Sequence, residues 1–471
     1  MLRWLCIILV GLLVAVSLVE YVAGWTPLEQ LSALVAWQRP EGGGPLAGRG
    51  RTVIRVGVAS WQMEEFPWEA AIARYEKAHG GAVKIRVAAL PEGTLNSVLL
   101  SWAKSSHTEY DVIVAWADEE IHPFIDYNWN TSDPKRRSLI INVRDYLTPE
   151  QLDSFMPAML GGCARKDPQT GQMNIYELPW MGEVLALNYN KQFLKQRGIE
   201  TPPRTWEEVE EACRKLAGLE YEGVPVAPLA MNFAQTIFFA QNCYVPMLAA
   251  YKKGKGILDA AGRLDVSSPE AVRVFETLKA WHKAGYISPN CMVNESVEQD
   301  LRVKRAAMYP HWQSRGLWAV KDHGPEVIGI APSPGSAEAG SLICTYGGII
   351  PKCSPVVRQA VDFCYETFCT DTHGFQTAVA NGFKDGEKLK GGGKMPVTRA
   401  MYRRTDLMPG IAELAPALER GYQYPDPVNW GQSAEILVVE FQKYLAGDTP
   451  TAQAALARAQ QRITQEVYRG K

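Results

Sequence analysis

The stretch LPWMGEVLALNYNK, Leu178 to Lys191, sets Trp180 and Glu183 just ahead of a short apolar run that ends in Tyr189-Asn190. A flat aromatic beside a carboxylate suits a ligand with hydroxyls arranged around a ring that has apolar C–H faces. The aromatic stacks on the ring, and the carboxylate accepts O–H hydrogen bonds. Two other places offer a similar combination: Ser60-Trp61-Gln62 and Trp116-Ala117-Asp118-Glu119, each directly after a β-branched run. Reaction chemistry has weaker support. The 7 histidines form no triad-like signature, no Gly-rich phosphate loop follows a strand, and His311 has no second His or Cys at coordinating spacing, so it reads as a satisfied loop histidine. No cofactor and no metal are expected.

A framework must hold these residues. TVIRVGVA (Thr52 to Ala59) reads as a strand, WEAAIARYEKAHG (Trp68 to Gly80) as a helix, VKIRVAAL as a strand, GTLNSVLLSWAKS as a helix and YDVIVAW as a short buried strand. This β-α-β-α-β order predicts a parallel sheet with helices on both faces. Ligands of such sheets sit beyond the carboxyl ends of the strands, where Trp61, Gln62, Trp116, Asp118 and Glu119 fall. Further along, Thr205-Trp206-Glu207-Glu208 supplies a capping box for a helix that ends at Gly218. SSPEAVRVFETLKAWHKAGYI (Ser267 to Ile287) repeats the plan with a Ser cap, Pro269 in the first turn and Gly285 after the last. Between them, MNFAQTIFFAQNCYVPMLAA is apolar nearly all round and belongs in a core. Trp206 and Trp281 read as helix packing.

Composition narrows the function classes. A chain of 471 residues is too long for one ordinary domain, so two or three lobes are expected. Hydrophobic content of 46% and charged content of 21% are those of a packed globule. With a net charge of -2 the chain presents no basic field, so nucleic acid is not an expected partner. At the N-terminus, Arg3 precedes an apolar run from Trp4 to Val19, the pattern of a secretory signal or a signal anchor. Either reading exports the remainder, with Arg3 left inside. Residues 1–25 are thus expected as signal peptide or membrane anchor and 26–50 as a linker, retention as an anchor being preferred. Eight cysteines lie beyond Cys6, and export permits disulfides, with no pairing specified.

Four passages in order then resemble the extracellular solute-binding proteins of ABC importers, in the maltose-binding-like group. They are the opening unit ending in YDVIVAWAD, the stretch IYELPWMGEVLALNYNKQFLKQRGIETPPRTWEEV, the short KRAAMYPHWQSRG, and TYGGIIPKCSPVVRQAVDFCYETF. The resemblance spans roughly Arg51 to the C-terminus, and its second passage is the most specific. It implies an α/β, two-lobe periplasmic-binding-protein-like fold of type 2, with hinge-linked lobes: residues 51–185 plus 347–402, and 186–346 plus 403–471. The chain would cross near Glu183 to Leu187, near Tyr346 to Ile350, where Gly347-Gly348 would supply hinge freedom, and around Met401 to Ile411.

What the resemblance implies for function is a receptor that closes on a solute, carbohydrate by its aromatic and acidic candidates, and delivers it to ABC permease subunits. The cleft candidates are Trp61, Trp116, Trp180, Trp312, Tyr346 and Trp430, with Gln62, Asp118, Glu119, Glu183, His311 and Gln313 as polar partners. Asp118 and Glu183 match positions that contact sugar hydroxyls in maltose binders, and Trp430 falls near a stacking aromatic. Trp116 is displaced by about one residue, and Glu119 stands where maltose binders carry a basic residue, which weighs against maltose itself. Each residue has a plainer reading: a Trp is more often core than platform, Asp118 could cap a helix, and Glu183 could pair with a hinge Arg. Two other functions are compatible with the fold. One is a membrane-anchored sensor or scaffold; the other is a thiaminase-like enzyme using Cys163, whose loop leads toward the cleft segment.

Overall fold

The computed structural model of the protein describes residues 51–90, 98, 102, 108–116, 125, 138–167, 170–260, 262–385, 388–408, 410–423 and 430–468. Strand β1 (Thr52–Ala59), helix α1 (Trp68–Ala78), β2 (Val83–Leu90) and β3 (Val112–Trp116) open the fold as expected. Both β2 and β3 pair parallel with β1. The expected helix in GTLNSVLLSWAKS falls mostly outside the described residues.

The long strand β4 (Leu178–Asn190) is followed by α2 (Trp206–Leu216), β5 (Ala227–Leu229), α3 (Pro269–Lys283), β6 (Ala306–Trp312), α4 (Gln313–His323), β7 (Ile328–Pro332) and β8 (Ile343–Ile349). The helices α5 (Val357–Cys364), α6 (Phe375–Asn381), α7 (Trp430–Ala446) and α8 (Ala452–Arg462) complete the principal elements. Eight strands form one sheet in the order β2-β1-β3-β8-β4-β6-β5, with β7 also on β4. The sheet is mixed rather than wholly parallel, because β8 runs antiparallel to both β3 and β4, and β4 runs antiparallel to β6 and β7.

Strand β4 divides its pairing in the middle. From Leu178 to Val184 it lies against β8, and from Leu185 to Asn190 against β6 and β7. All of its residues except Tyr189 are buried, which accounts for its near-continuous apolar sequence. Where β8 passes from Tyr346 to Gly347, its partner on β4 steps from Met181 to Pro179, leaving Trp180 as the extra residue of a bulge. Gly347 has no positive φ. Its glycine serves space instead, since a Cβ there would lie 2.4 Å from Oε2 of Glu177.

Local signals read in the sequence recur in the structure. The Thr205 hydroxyl accepts the Glu208 N–H at 3.2 Å, while the Glu208 carboxylate reaches the Arg204 N–H at 2.6 Å rather than that of Thr205. Ser268 caps α3 by accepting from Ala271 at 3.2 Å. Trp206 and Trp281 are buried with ring centroids 6.3 Å apart. The apolar segment of residues 231–250 supplies Phe233 and Phe239 to a core shared with Phe275 and Phe441. Among the described residues no disulfide joins the eight cysteines, and all but Cys353 are buried.

Candidate functional site

Glu183 stands at the point where β4 changes partners, with 4% of its surface exposed. An isolated carboxylate so buried would be costly, so donors must surround it. The Lys394 ammonium lies 2.9 Å from Oε1, the Ser314 hydroxyl also donates to Oε1, and the Tyr346 hydroxyl donates to Oε2 at 3.4 Å. Burial pushes the Glu183 pKa up. Lys394, then Arg315 and the Ser314 hydrogen bond outweigh it and hold the carboxyl below its ordinary range. Tyr346 is pushed well above the ordinary phenol value by burial and then by Glu183, so it remains a neutral donor.

The helix α4 begins beside this carboxylate and explains why its first residues are polar yet buried. Gln313 Oε1 accepts the Val184 N–H at 2.6 Å, and its Nε2 donates to the Gly393 carbonyl at 2.9 Å. Both ends of Gln313 are thereby spent on backbone, clasping β4 to the loop that carries Lys394. Ser314 follows one residue on, placing Glu183 where the N-terminal end of a helix favours negative charge. Arg315 packs over the Trp318 ring at 4.1 Å, and its Nη2 lies 3.5 Å from Glu298.

The other expected site residues distribute unevenly. Trp312 is buried at the end of β6, opposite Leu185 of β4. Trp180 is completely enclosed: its ring meets Phe66 edge-on at 4.8 Å, Phe375 at 5.6 Å and Trp68 at 5.7 Å, with Tyr346 at 6.4 Å. Its surroundings are an aromatic core, where the sequence reading placed it facing a cleft. Gln62 is buried next to this core, its carbonyl accepting from Trp68 Nε1 at 2.8 Å. Trp430 is buried and opens α7. Asp118 and Glu119 lie outside the described residues, as do the side chains of Trp61 and Trp116.

His311 belongs to β6 rather than to a loop, and only half of its ring is satisfied. Nδ1 accepts the Trp312 N–H at 2.8 Å, whereas Nε2 has no hydrogen-bond partner among the described residues and lies 3.9 Å from Glu298. Burial, then the Arg315 charge, holds it well below the ordinary histidine value and keeps it neutral. Cys163 is 0% exposed. A nucleophilic thiolate needs access and a stabilising charge, so this placement opposes the enzyme alternative. Lys394 and Ser314, which meet Glu183, are not among the residues singled out from the sequence. Ser314 adjoins Gln313 within KRAAMYPHWQSRG, and Lys394 follows three glycines, the only local hint that a backbone there approaches something closely.

Among the described residues no helix is long and apolar enough to cross a membrane, and no metal-binding group of side chains occurs. The signal or anchor expectation concerns residues outside that set.

Comparison with known proteins gives consistent results. A family model described as bacterial extracellular solute-binding protein matches residues 61–365, more than half of the chain. A protein of Deinococcus radiodurans described as "Probable ABC transporter-binding protein" is 24% identical over 181 residues, which are 36% of this chain and 41% of that protein. Maltose-bound MalE3 of T. maritima superposes with a TM-score of 0.63 at 15% identity, covering 87% of this chain and 98% of its own. The cyclic alpha-maltosyl-1,6-maltose binding protein of Arthrobacter globiformis reaches 0.64 at 15% identity, covering 88% and 98%. These superpositions establish the two-lobe fold. With the match over residues 61–365, they make the chain a member of the bacterial extracellular solute-binding protein family.

Proposed function

We propose that the protein is an extracytoplasmic receptor that captures a carbohydrate between its lobes and delivers it to the permease of an ABC importer. Glu183 is the observation that carries this reading. It is a buried, ionised carboxylate at the strand segment expected to join the lobes, and it collects donors from sequence on both sides of that division: Lys394 from 347–402, and Ser314 from 186–346. A sugar hydroxyl that replaced or joined one of these donors would feel both lobes at once. Ligand would then bind the closed arrangement better and populate it. Trp312 and Tyr346 beside Glu183 supply aromatic surface, and Trp61, Trp116, Asp118, Glu119 and Trp430 are the further contacts proposed. Trp180 and Gln313 act in support, one as core and one as clasp. Two structural relatives whose names specify maltose or a maltosyl sugar favour carbohydrate.

Residues 1–25 would export the chain and hold it at the membrane, with 26–50 as tether. Fractionation of cells making the full-length protein tests this: the anchor reading requires it in the membrane pellet, and release in soluble form removes the anchor. Ligand class is tested by thermal shift of the detergent-solubilised full chain against mono- and oligosaccharides, with polyamines and peptides as controls. A ligand at 100-fold over its Kd stabilises by about 2.7 kcal/mol. A saccharide-specific shift that disappears in Glu183→Gln is expected. A response confined to polyamines or peptides would discard the sugar while keeping the receptor.

A further inference from the structure

Well along β4 from the Glu183 network lies a separate cavity of about 410 Å3. Tyr189, which lines it, is six residues past Glu183, about 20 Å at roughly 3.3 Å per residue. The other polar lining residues are Arg204, Ser333, Ser336, Glu413 and Arg420, and the remaining wall consists mainly of prolines and alanines. That volume falls at the small end of the range for organic ligands, about 300–1,000 Å3.

The cavity wall is braced by backbone hydrogen bonds. Gly335 sits at φ 81°, where a Cβ would come within 2.4 Å of the Ala250 Cβ, so the turn from Ser333 to Ser336 requires glycine. The Gly335 N–H donates to the Arg204 carbonyl at 2.7 Å, and the Arg204 N–H donates to Glu208 at 2.6 Å. The main chain beneath the Arg204 guanidinium is thus held at both ends. Ser333 is 4% exposed, and its hydroxyl has no hydrogen-bond partner among the described residues. A buried hydroxyl left unmade is a net loss, which a bound acceptor would reverse.

Donors outnumber acceptors in this lining. Two guanidiniums and three hydroxyls face one carboxylate, Glu413, and Tyr189 is kept protonated by burial and then by the Glu413 charge. A smaller adjoining cavity of about 290 Å3 shares Tyr189 and Pro202 and adds Lys191 and Lys195 against Glu200, so the positive excess continues. Guanidinium forks match carboxylates bidentately, and the proline and alanine walls suit an apolar body.

We propose that this cavity is a second ligand site, which takes a small organic carboxylate with an apolar body. Arg204 and Arg420 hold the carboxylate, and Ser333 donates to it. The site is independent of the carbohydrate reading and shares no residue with the Glu183 network.

Isothermal titration of the full-length protein with benzoate tests the site, with benzamidine as a cation of the same shape and inorganic phosphate as an anion without the apolar body. Saturable benzoate binding is expected, with no benzamidine binding and weaker phosphate binding. Arg204→Ala and Arg420→Ala should each weaken benzoate about tenfold or more, and Arg420→Lys should restore part of the loss by keeping the charge without the fork. Glu183→Gln should leave benzoate binding unchanged, which separates this site from the carbohydrate site. Absence of saturable benzoate binding, binding that survives both arginine substitutions, or equal binding of benzamidine would overturn the proposal.

Discussion

Trp180 and Glu183 stand three residues apart on the same strand, both almost wholly buried, and Tyr346 touches both, with its ring 6.4 Å from Trp180 and its hydroxyl on Glu183, yet their other neighbours differ in kind. The Trp180 ring is closed in by aromatic rings, those of Phe66, Trp68, Phe368 and Phe375. Its Nε1 has no hydrogen-bond partner among the described residues. An unmade bond costs about 1–3 kcal/mol, whereas burying an aromatic of about 200 Å2 returns about 5 kcal/mol. Packing therefore wins there without any polar help. Around Glu183 the order is reversed: burial opposes the charge, and the site holds only because an ammonium and two hydroxyls were brought to it. Burial alone therefore does not separate an aromatic core position from a charged, paired one; the directionality of the neighbours does.

The largest expected effects test each side of this contrast separately. Trp180→Ala should cost about 3–5 kcal/mol of unfolding free energy in urea, as large cavities in aromatic cores do. A loss under 1 kcal/mol would show that the ring is not a core element. Lys394→Ala should cost about 3–5 kcal/mol by leaving the Glu183 charge buried and uncompensated. Adding Glu183→Gln to that variant should recover most of the loss. If the double variant is instead as unstable as the sum of the two single changes, the pair is not coupled.

A smaller, pH-dependent effect should distinguish two buried groups near the same helix. Glu183 has a folded pKa below its ordinary 4.5, so its contribution is full above that value and is lost as pH falls through the folded one. His311 is held far below its ordinary 6.5, so the neutral form is the one the fold favours, and its contribution begins to be lost as pH falls below 6.5. Unfolding free energy measured between neutral and acid pH should fall in two stages. His311→Asn, whose amide oxygen can still accept the Trp312 N–H, should lack the first stage, and Glu183→Gln the second. The smallest change expected is Thr205→Ala, about 1 kcal/mol for a lost helix cap. It is remote from both regions and calibrates the others.

Much of the fold was legible because its signals are local. The β1-β2-β3 unit, the Thr205 and Ser268 caps and the buried segment at 231–250 follow from side-chain period, capping chemistry and apolar content. The candidate site was only half legible. Glu183 was identifiable from the strand it occupies, but Trp180 could not be assigned to a face, because strand alternation fails at the bulge opposite Tyr346 and Gly347. The same lack of tertiary information put His311 in a loop and gave no sign that Gly347 makes room for Glu177.

The sequence by itself determined that the chain would build an α/β fold with an aromatic and a carboxylate at the end of one apolar strand, since those choices depend on residues close together. Only the tertiary structure decided what the carboxylate meets. Lys394 is 211 residues from Glu183 and Ser314 is 131. Contacts across such separations depend on how whole elements dock, which no local period or motif encodes.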